Sequence, residues 1–305
     1  MASDGAKIIA AAAAERLPDA RVESPRQRVW RRFRRNRPAL GGLIVLAFVL
    51  FCAVAAPLLP LASPDDTGIV YGAAPSRAHL LGTDFSGRDA LSRLVYGGRV
   101  SFEVCAMVVV FAMAAGLLLG VTAGYFGGWW DYLVSRFADA LFAFPTITLA
   151  LAVATIFRKG IFTASIAIAI TFVPGFVRLI RAQVLAVREE VFVEASRSIG
   201  VSEGRMLRRH ILPNVISPLV VQIALSFGYA LIAEAGLSFL GFGVQTPTPS
   251  WGTMLEDAYN GLPGKSWPVF PPGIALAITV LAINLVADGL RDSLGREVHI
   301  VKEEA

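Results

Sequence analysis

Charge is scarce in this sequence. Only 17% of its 305 residues are Asp, Glu, Lys or Arg and 55% are hydrophobic, whereas soluble domains carry about 25% charged residues. Cysteine is scarcer still. Cys52 and Cys105 both lie in apolar stretches, have no metal-ligand spacing and give no disulfide framework, so they read as small core residues. The three histidines, His79, His210 and His299, are far apart and form no H-E-x-x-H pair, so the histidines give no reason to expect a metal or cofactor in this chain. A complete phosphate-binding loop is missing too. Gly264-Lys265-Ser266 ends like one, but Tyr259 stands where the opening Gly belongs. No cleavable signal peptide is evident, because the first long apolar run starts only after Arg37; that run reads as an uncleaved first span.

What the sequence has in abundance is apolar residues in blocks of about twenty, the length that a hydrocarbon layer of about 30 Å demands at about 1.5 Å per helical residue. A soluble core would show shorter, amphipathic runs. Six spans follow, at about 38–60, 99–124, 133–157, 161–181, 214–240 and 270–290. The fold class is all-α, a polytopic membrane protein with six transmembrane helices. Pro145 falls in the third span and Pro174 in the fourth; such breaks are tolerated where neighbouring helices or water satisfy the freed carbonyls. They often line a pathway, and an ordinary packing kink accounts for them equally well. Residues 1–37 form a basic tail, 38–296 the membrane domain and 297–305 a second tail.

The net charge of +5 is not gathered into one patch of the kind nucleic acid requires. The basic residues concentrate in Arg26, Arg28, Arg31, Arg32, Arg34, Arg35 and Arg37, and again in Arg178, Arg181, Arg188, Arg197, Arg205, Arg208 and Arg209 around the loop 182–212. Lys and Arg gather on the cytoplasmic side of membrane proteins, so the pattern predicts both termini and that loop inside, in the cytoplasmic (inner) membrane. Arg158 and Lys159 fall outside, against the trend. The partner implied is membrane lipid, not nucleic acid.

The loop between spans four and five is the most informative stretch. Residues 187–199 are helix formers, with Val187, Val191 and Glu194-Ala195 about a turn apart. Gly200 supplies a terminator that tolerates positive φ. Ser202 is placed to cap a second short helix carrying Met206, Leu207 and His210, and Pro213 suits the entry to span five. A helix, a Gly turn and a helix then make a knob on the cytoplasmic side. Two readings remain open from these residues: a rigid handle for a partner, or an amphipathic helix lying on the membrane surface.

Glu194-Ala195-Ser196, Gly200 and His210-Ile211-Leu212-Pro213, with three and nine residues between the three groups, resemble the "EAA" loop of importer-type ABC permeases. Ser196 replaces the second Ala of that pattern and His210 its Ile. The stretch His79-Leu80-Leu81-Gly82-Thr83-Asp84-Phe85-Ser86-Gly87-Arg88-Asp89, the run Gly236-Leu237-Ser238-Phe239-Leu240-Gly241-Phe242-Gly243 with Pro249-Ser250-Trp251-Gly252, and Asp288-Gly289-Leu290-Arg291-Asp292 are similar to segments of the dipeptide/oligopeptide/nickel permease family, in its second, C-type branch. The resemblance spans most of 38–296 and leaves out 1–37. It implies a type I importer permease that pairs with a second permease, two ATP-binding subunits and an extracytoplasmic solute-binding protein. ATP and Mg would then be held by the partners, and this chain would be no enzyme. It also implies that Glu194, Ala195, Ser196, Gly200, Leu212 and Pro213 shape the ATPase-coupling loop, flanked by Arg208 and Arg209.

Charged groups inside spans are costly and call for a reason. Glu234, in span five, reads either as a contact in the solute pathway or with the partner permease, or as a protonated or hydrogen-bonded packing residue. Arg136 with Asp139, and Asp288 with Arg291, are spaced to pair as anchors, and Arg178 and Arg181 are expected to snorkel to the inner surface. The competing class is a secondary transporter driven by an ion gradient, which would show inverted repeats and midplane ion sites; no internal repeat is seen.

Overall fold

The computed structural model describes residues 25–68, 70–261 and 267–295, and among these the protein is helical, with no strand. Gly264-Lys265-Ser266, His299 and the tails 1–24 and 296–305 lie outside the described residues. The first element, α1 (Pro25–Arg35), turns the end of the basic tail into a helix whose Phe33 is buried. Asn36 then starts α2 (Arg37–Ala55) by accepting from the Ala39 N–H at 3.1 Å, with Pro38 in the first turn where no N–H is required.

The second span begins earlier than apolar content suggests. Helix α3 (Ala90–Phe126) starts nine residues before 99 because Asp89 caps it, its Oδ1 accepting from the Ser92 N–H at 2.8 Å. A cap decides where a helix begins, whereas hydropathy decides only which part meets lipid. At 37 residues α3 is roughly 55 Å long, so its first turns stand clear of a 30 Å layer.

The third span is a correction. Instead of one kinked helix over 133–157, α4 (Gly128–Phe142) and α5 (Thr146–Ile156) are separate and turn by 97° across residues 143–145. Pro145 has no N–H to offer and bars Phe144 from helical geometry; the new helix starts with the Leu149 N–H donating to the Pro145 carbonyl at 3.0 Å. Pro174, by contrast, stays inside the continuous α6 (Ile161–Arg188).

Two short helices follow, α7 (Val191–Ser198) and α8 (Glu203–Met206). A wide π turn (Leu207–Ile211) leads from α8 into α9 (Leu212–Phe239). The Pro/Gly/Trp-rich stretch 241–268, read as a loop, contains α10 (Trp251–Gly261), started by reciprocal bonds between Ser250 and Thr253. The last helix is α11 (Phe270–Gly295). Among the described residues, five segments are long and apolar enough to cross a membrane, Arg37–Leu58, Ala90–Phe126, Ile161–Arg188, Glu203–Phe239 and Trp267–Gly295; the bent pair α4 and α5 makes six if it is one span.

The most extensive helix contact joins α3 to α6. Gly116, Gly120 and Gly124 recur every fourth residue on the face of α3 that meets α6. A Cβ at Gly116 would stand 2.3 Å from the Cβ of Phe176, one at Gly120 2.9 Å from that of Ile180, and one at Gly124 3.0 Å from that of Val184. Small residues at this spacing let two backbones approach, which is how helices gain packing energy where lipid is as apolar as Leu. In the same way α2 lies against α11, with Gly42 facing the Ala282 carbonyl and Gly289 facing Ala39.

Charges place α4 differently from expectation. Arg178 and Arg181, expected to snorkel, also grip α4: Arg178 Nη2 donates to Asp139 at 2.6 Å, and Arg181 donates to both carboxylate oxygens of Asp131, one of them at 2.7 Å. Arg136 and Asp139 do meet, at a loose 3.7 Å on the surface. Asp288 and Arg291 form no ion pair among the described residues, and both are exposed. Gly116→Leu, which drives a side chain into α6, should cost about 1–3 kcal/mol and lower the melting temperature of the detergent-solubilised protein. Gly41→Leu, with nothing within 4 Å, should leave it unchanged. Equal melting temperatures for the two variants would mean that α3 and α6 do not pack as described.

Candidate functional site

The knob begins where α6 ends. Arg188 ties that end to α3 by donating to the Tyr125 carbonyl at 2.9 Å. After α7, Gly200 adopts φ +77°, its N–H donates to the Arg197 carbonyl at 2.9 Å, and the Val201 N–H reaches back to Ser196 at 3.2 Å. These are the two bonds of a Schellman closure, which requires a residue at ease with positive φ. Ser202 occupies the cap position of α8, as expected, but its side chain makes no capping bond. Pro213 falls in the first turn of α9.

One side of the knob is anchored and the other is bare. Val193, Met206 and Ile211 are buried in the main core cluster, and Arg197 lies over the Tyr125 ring at 5.8 Å. Glu194, Ala195, Gly200, Arg208, Arg209 and Pro213 are exposed; Ser196 and Leu212 are half-buried. Val191 and Ile199, which bracket the exposed face of α7, are 79% and 81% exposed. Sequence reasoning passed over these two apolar residues as contact groups, although their position at the two ends of the short helix was the available signal. The rings of Phe192 and His210 approach to 6.1 Å, so α7 and the π turn are held side by side. Glu234 is not part of this group.

At the opposite end of the bundle lies a sealed ionic lock. Asp84 Oδ1 accepts from the backbone N–H groups of Ser86 and Arg88 at 2.8 and 2.9 Å, and Oδ2 from Arg88 Nε at 2.6 Å. Asp257 of α10 accepts from Arg88 and from Arg93 of α3, each at 3.1 Å. Arg93 is 1% exposed and also donates to the carbonyls of Pro64 and Pro247 at 3.3 Å. Two cations and two anions therefore balance while joining the 61–89 segment, α3 and α10. Burial pushes the Asp257 carboxyl above the usual range, against the pull of Arg93 and Arg88; burial and then the Asp257 charge raise Glu256, against the pull of Lys159. A cavity of about 590 Å³ opens beside them, lined among others by Arg88, Lys159, Gln245, Glu256 and Asp257.

Glu234 belongs to this end. It is fully buried, with Oε1 accepting from Ser238 Oγ at 2.8 Å and Oε2 from Ser101 Oγ at 3.0 Å. Ser101 in turn accepts from the Trp251 N–H at 3.2 Å, and Ser238 from the Val244 N–H at 3.1 Å. The carboxylate thus joins α9, α3 and the start of α10. Of the readings the sequence left open, this geometry supports the hydrogen-bonded packing residue.

A helical bundle with segments able to cross a membrane, a stiff protrusion at one end and a polar cluster at the other has the build of an integral membrane protein. The family profile described as "Binding-protein-dependent transport system inner membrane component" matches residues 116–300, and "N-terminal TM domain of oligopeptide transport permease C" matches 24–75. The second match takes in the end of the tail that the resemblance had left out. The chain is 42% identical over 272 residues to a "Dipeptide transport system permease protein DppC" of Alkalihalophilus pseudofirmus, covering 89% of this chain and 90% of that one. It is 40% identical to a "Di/tripeptide transport system permease protein DppC" of Pseudomonas aeruginosa (89% and 92% covered) and to a "Glutathione transport system permease protein GsiD" of Escherichia coli (92% and 93% covered). In fold it is similar to a chain of the inward-facing MetNI methionine ABC transporter, at TM-score 0.56 and 18% identity over 67% of this chain and 97% of that one. The chain belongs to the binding-protein-dependent inner-membrane component family: it is a multi-pass permease subunit of an ATP-driven ABC importer. That family works with ATPase and solute-binding partners, and membership gives no support to a carrier driven by an ion gradient.

Asp257→Ala leaves two buried guanidinium groups facing one carboxylate and should cost about 3–5 kcal/mol, read as a drop in melting temperature. Adding Arg93→Met should recover part of that loss; a double variant as unstable as the single one would deny the charge balance.

Proposed function

We propose that this chain is one of two different permeases in a peptide importer, coupled to a pair of ATP-binding subunits through the knob and supplied by an extracytoplasmic solute-binding protein. The observation that carries the reading is the bare face of α7. Two strongly exposed apolar side chains, Val191 and Ile199, flank Glu194 and Ala195 on a helix whose other side is locked into the core. An exposed apolar pair on a rigid support suits a partner's groove, and a rigid support transmits a push without absorbing it. The Schellman closure at Gly200 gives that rigidity its local cause.

The knob end is the cytoplasmic end in this reading. The arginines of α1 and those of residues 178–209 gather there, as the positive-inside rule requires of a chain with both termini inside. The ionic lock and its mixed-charge cavity then face outward, where a solute arrives. Hydrolysis takes place on the partners, which hold ATP and Mg; this chain is non-catalytic. It turns their closure into a shift between inward and outward access, and inverting a 1:99 population takes about 5.5 kcal/mol of differential binding. Peptide-like solutes are proposed because relatives near 40% identity carry the names dipeptide, di/tripeptide and glutathione permease.

The test is uptake of a labelled dipeptide by the reconstituted complex, with ATP inside the vesicles or with an ion gradient alone. Uptake should need ATP. Ile199→Asp and Gly200→Val should lose both the ATPase subunits on co-purification and at least tenfold of uptake, while the permease keeps its melting temperature to within a few degrees. Retention of the ATPase by both variants would remove the coupling role.

A further inference from the structure

Midway along the bundle a second cavity, of about 400 Å³, opens at the break of the split span. Thr146, at the start of α5, lines it together with Thr171 and Gly175 of α6 and Gln222, Ser226 and Tyr229 of α9. Phe142 and Phe172 add aromatic faces, and none of its lining residues is Asp, Glu, Lys, Arg or His. Each contributing element carries a proline within about a turn: Pro145 directly before Thr146, Pro174 beside Gly175, and Pro218 four residues before Gln222.

Lipid is a poor occupant for this place. Non-helical backbone at membrane depth is tolerated only where protein buries it or where it lines a watery cavity, and residues 143–145 are exposed at the mouth. Gln222 donates to Ser226 Oγ at 3.3 Å, but its carbonyl oxygen has no partner among the described residues. Tyr229 is 63% exposed in the middle of an apolar helix. Hydrocarbon would leave both polar groups unsatisfied, at a cost of a few kcal/mol each.

We infer that this cavity is a solute subsite on the conducting path, one that takes amide groups of a peptide backbone by neutral hydrogen bonds and aromatic contact. The inference rests on the import reading above and adds its chemistry. The Gln222 amide matches a peptide bond in donor and acceptor, and Thr171, whose hydroxyl donates to the Ile168 carbonyl at 2.7 Å, keeps its lone pairs for a donor. With no fixed charge, the subsite holds neither an acidic nor a basic side chain preferentially. It suits a permease that passes peptides of varied sequence and leaves selection to the binding protein.

The test uses the full importer with its binding protein in proteoliposomes, and labelled Ala-Ala, Lys-Ala and Glu-Ala. Gln222→Leu should lower uptake of all three by a similar factor, about tenfold, with ATPase activity stimulated by the binding protein kept within twofold. Gln222→Lys should disfavour Lys-Ala against Glu-Ala by several fold. Unchanged uptake and selectivity in both variants would overturn the subsite. A second readout does not depend on transport: in a Cys52→Ala background (Cys105 is fully buried), a cysteine placed by Tyr229→Cys should react with a charged, water-borne thiosulfonate in the assembled complex. No reaction means that lipid or the partner permease fills the space, and the proposal falls. If the Tyr229→Cys complex reacts while the unaltered complex imports none of the three peptides, the import reading has failed for peptides, and with it the amide chemistry, while the cavity remains a wet path.

Discussion

The close approach of α3 and α6 is the constraint on which the rest depends. Apolar helices gain nothing from leaving lipid for each other, so they associate through backbone-level packing. Gly116, Gly120 and Gly124 make that contact, and the lock, the knob and the midway cavity each draw on one of these two helices. α3 carries Arg93 of the ionic lock and Ser101, the partner of Glu234, near its start and accepts Arg188 at its end. α6 presents Thr171 and Gly175 to the midway cavity and runs into the knob. Helices held this closely move as a unit, so displacement at one end is felt along the whole length.

The two ends of the bundle solve opposite problems. At the lock, Arg88, Arg93 and Asp257 are buried and Asp84 is half-buried, and burial of charge is tolerable only when the charges cancel and their hydrogen bonds are made. At the knob, Val191 and Ile199 are apolar and exposed, an arrangement that costs free energy until something covers them. Between them the split span leaves polar groups with spare hydrogen-bonding capacity in a region that otherwise excludes water.

Legibility in the sequence followed the range of the interaction. Gly200 and Pro213 were readable because a turn needing positive φ, or a first helical turn lacking a donor, involves a handful of neighbouring residues. Spans were readable as runs. Pro145 announced a break, but its size, 97°, depends on what α5 packs against after the turn. The pairing of Arg136 with Asp139 was foreseen from spacing and is weak, whereas the tighter partner of Asp139 is Arg178, on another helix. Helix α3 began at a capping Asp89 and not at the edge of the apolar run, since lipid contact and helix formation have different causes.

By itself, then, the sequence determined the membrane class, the family, the basic distribution and the turn chemistry of the knob, all of which are written in runs and short motifs. Tertiary structure alone decided that Glu234 joins three elements, that Asp257 balances Arg88 and Arg93, and that Gln222, Thr171 and Thr146 share one cavity. The partners in these groups are drawn from distant parts of the chain; Glu234 and Ser101, for instance, are 133 residues apart. Which of many buried polar groups meet is set by the few backbones that glycine and proline allow to lie side by side, a property of packed helices that no local pattern carries.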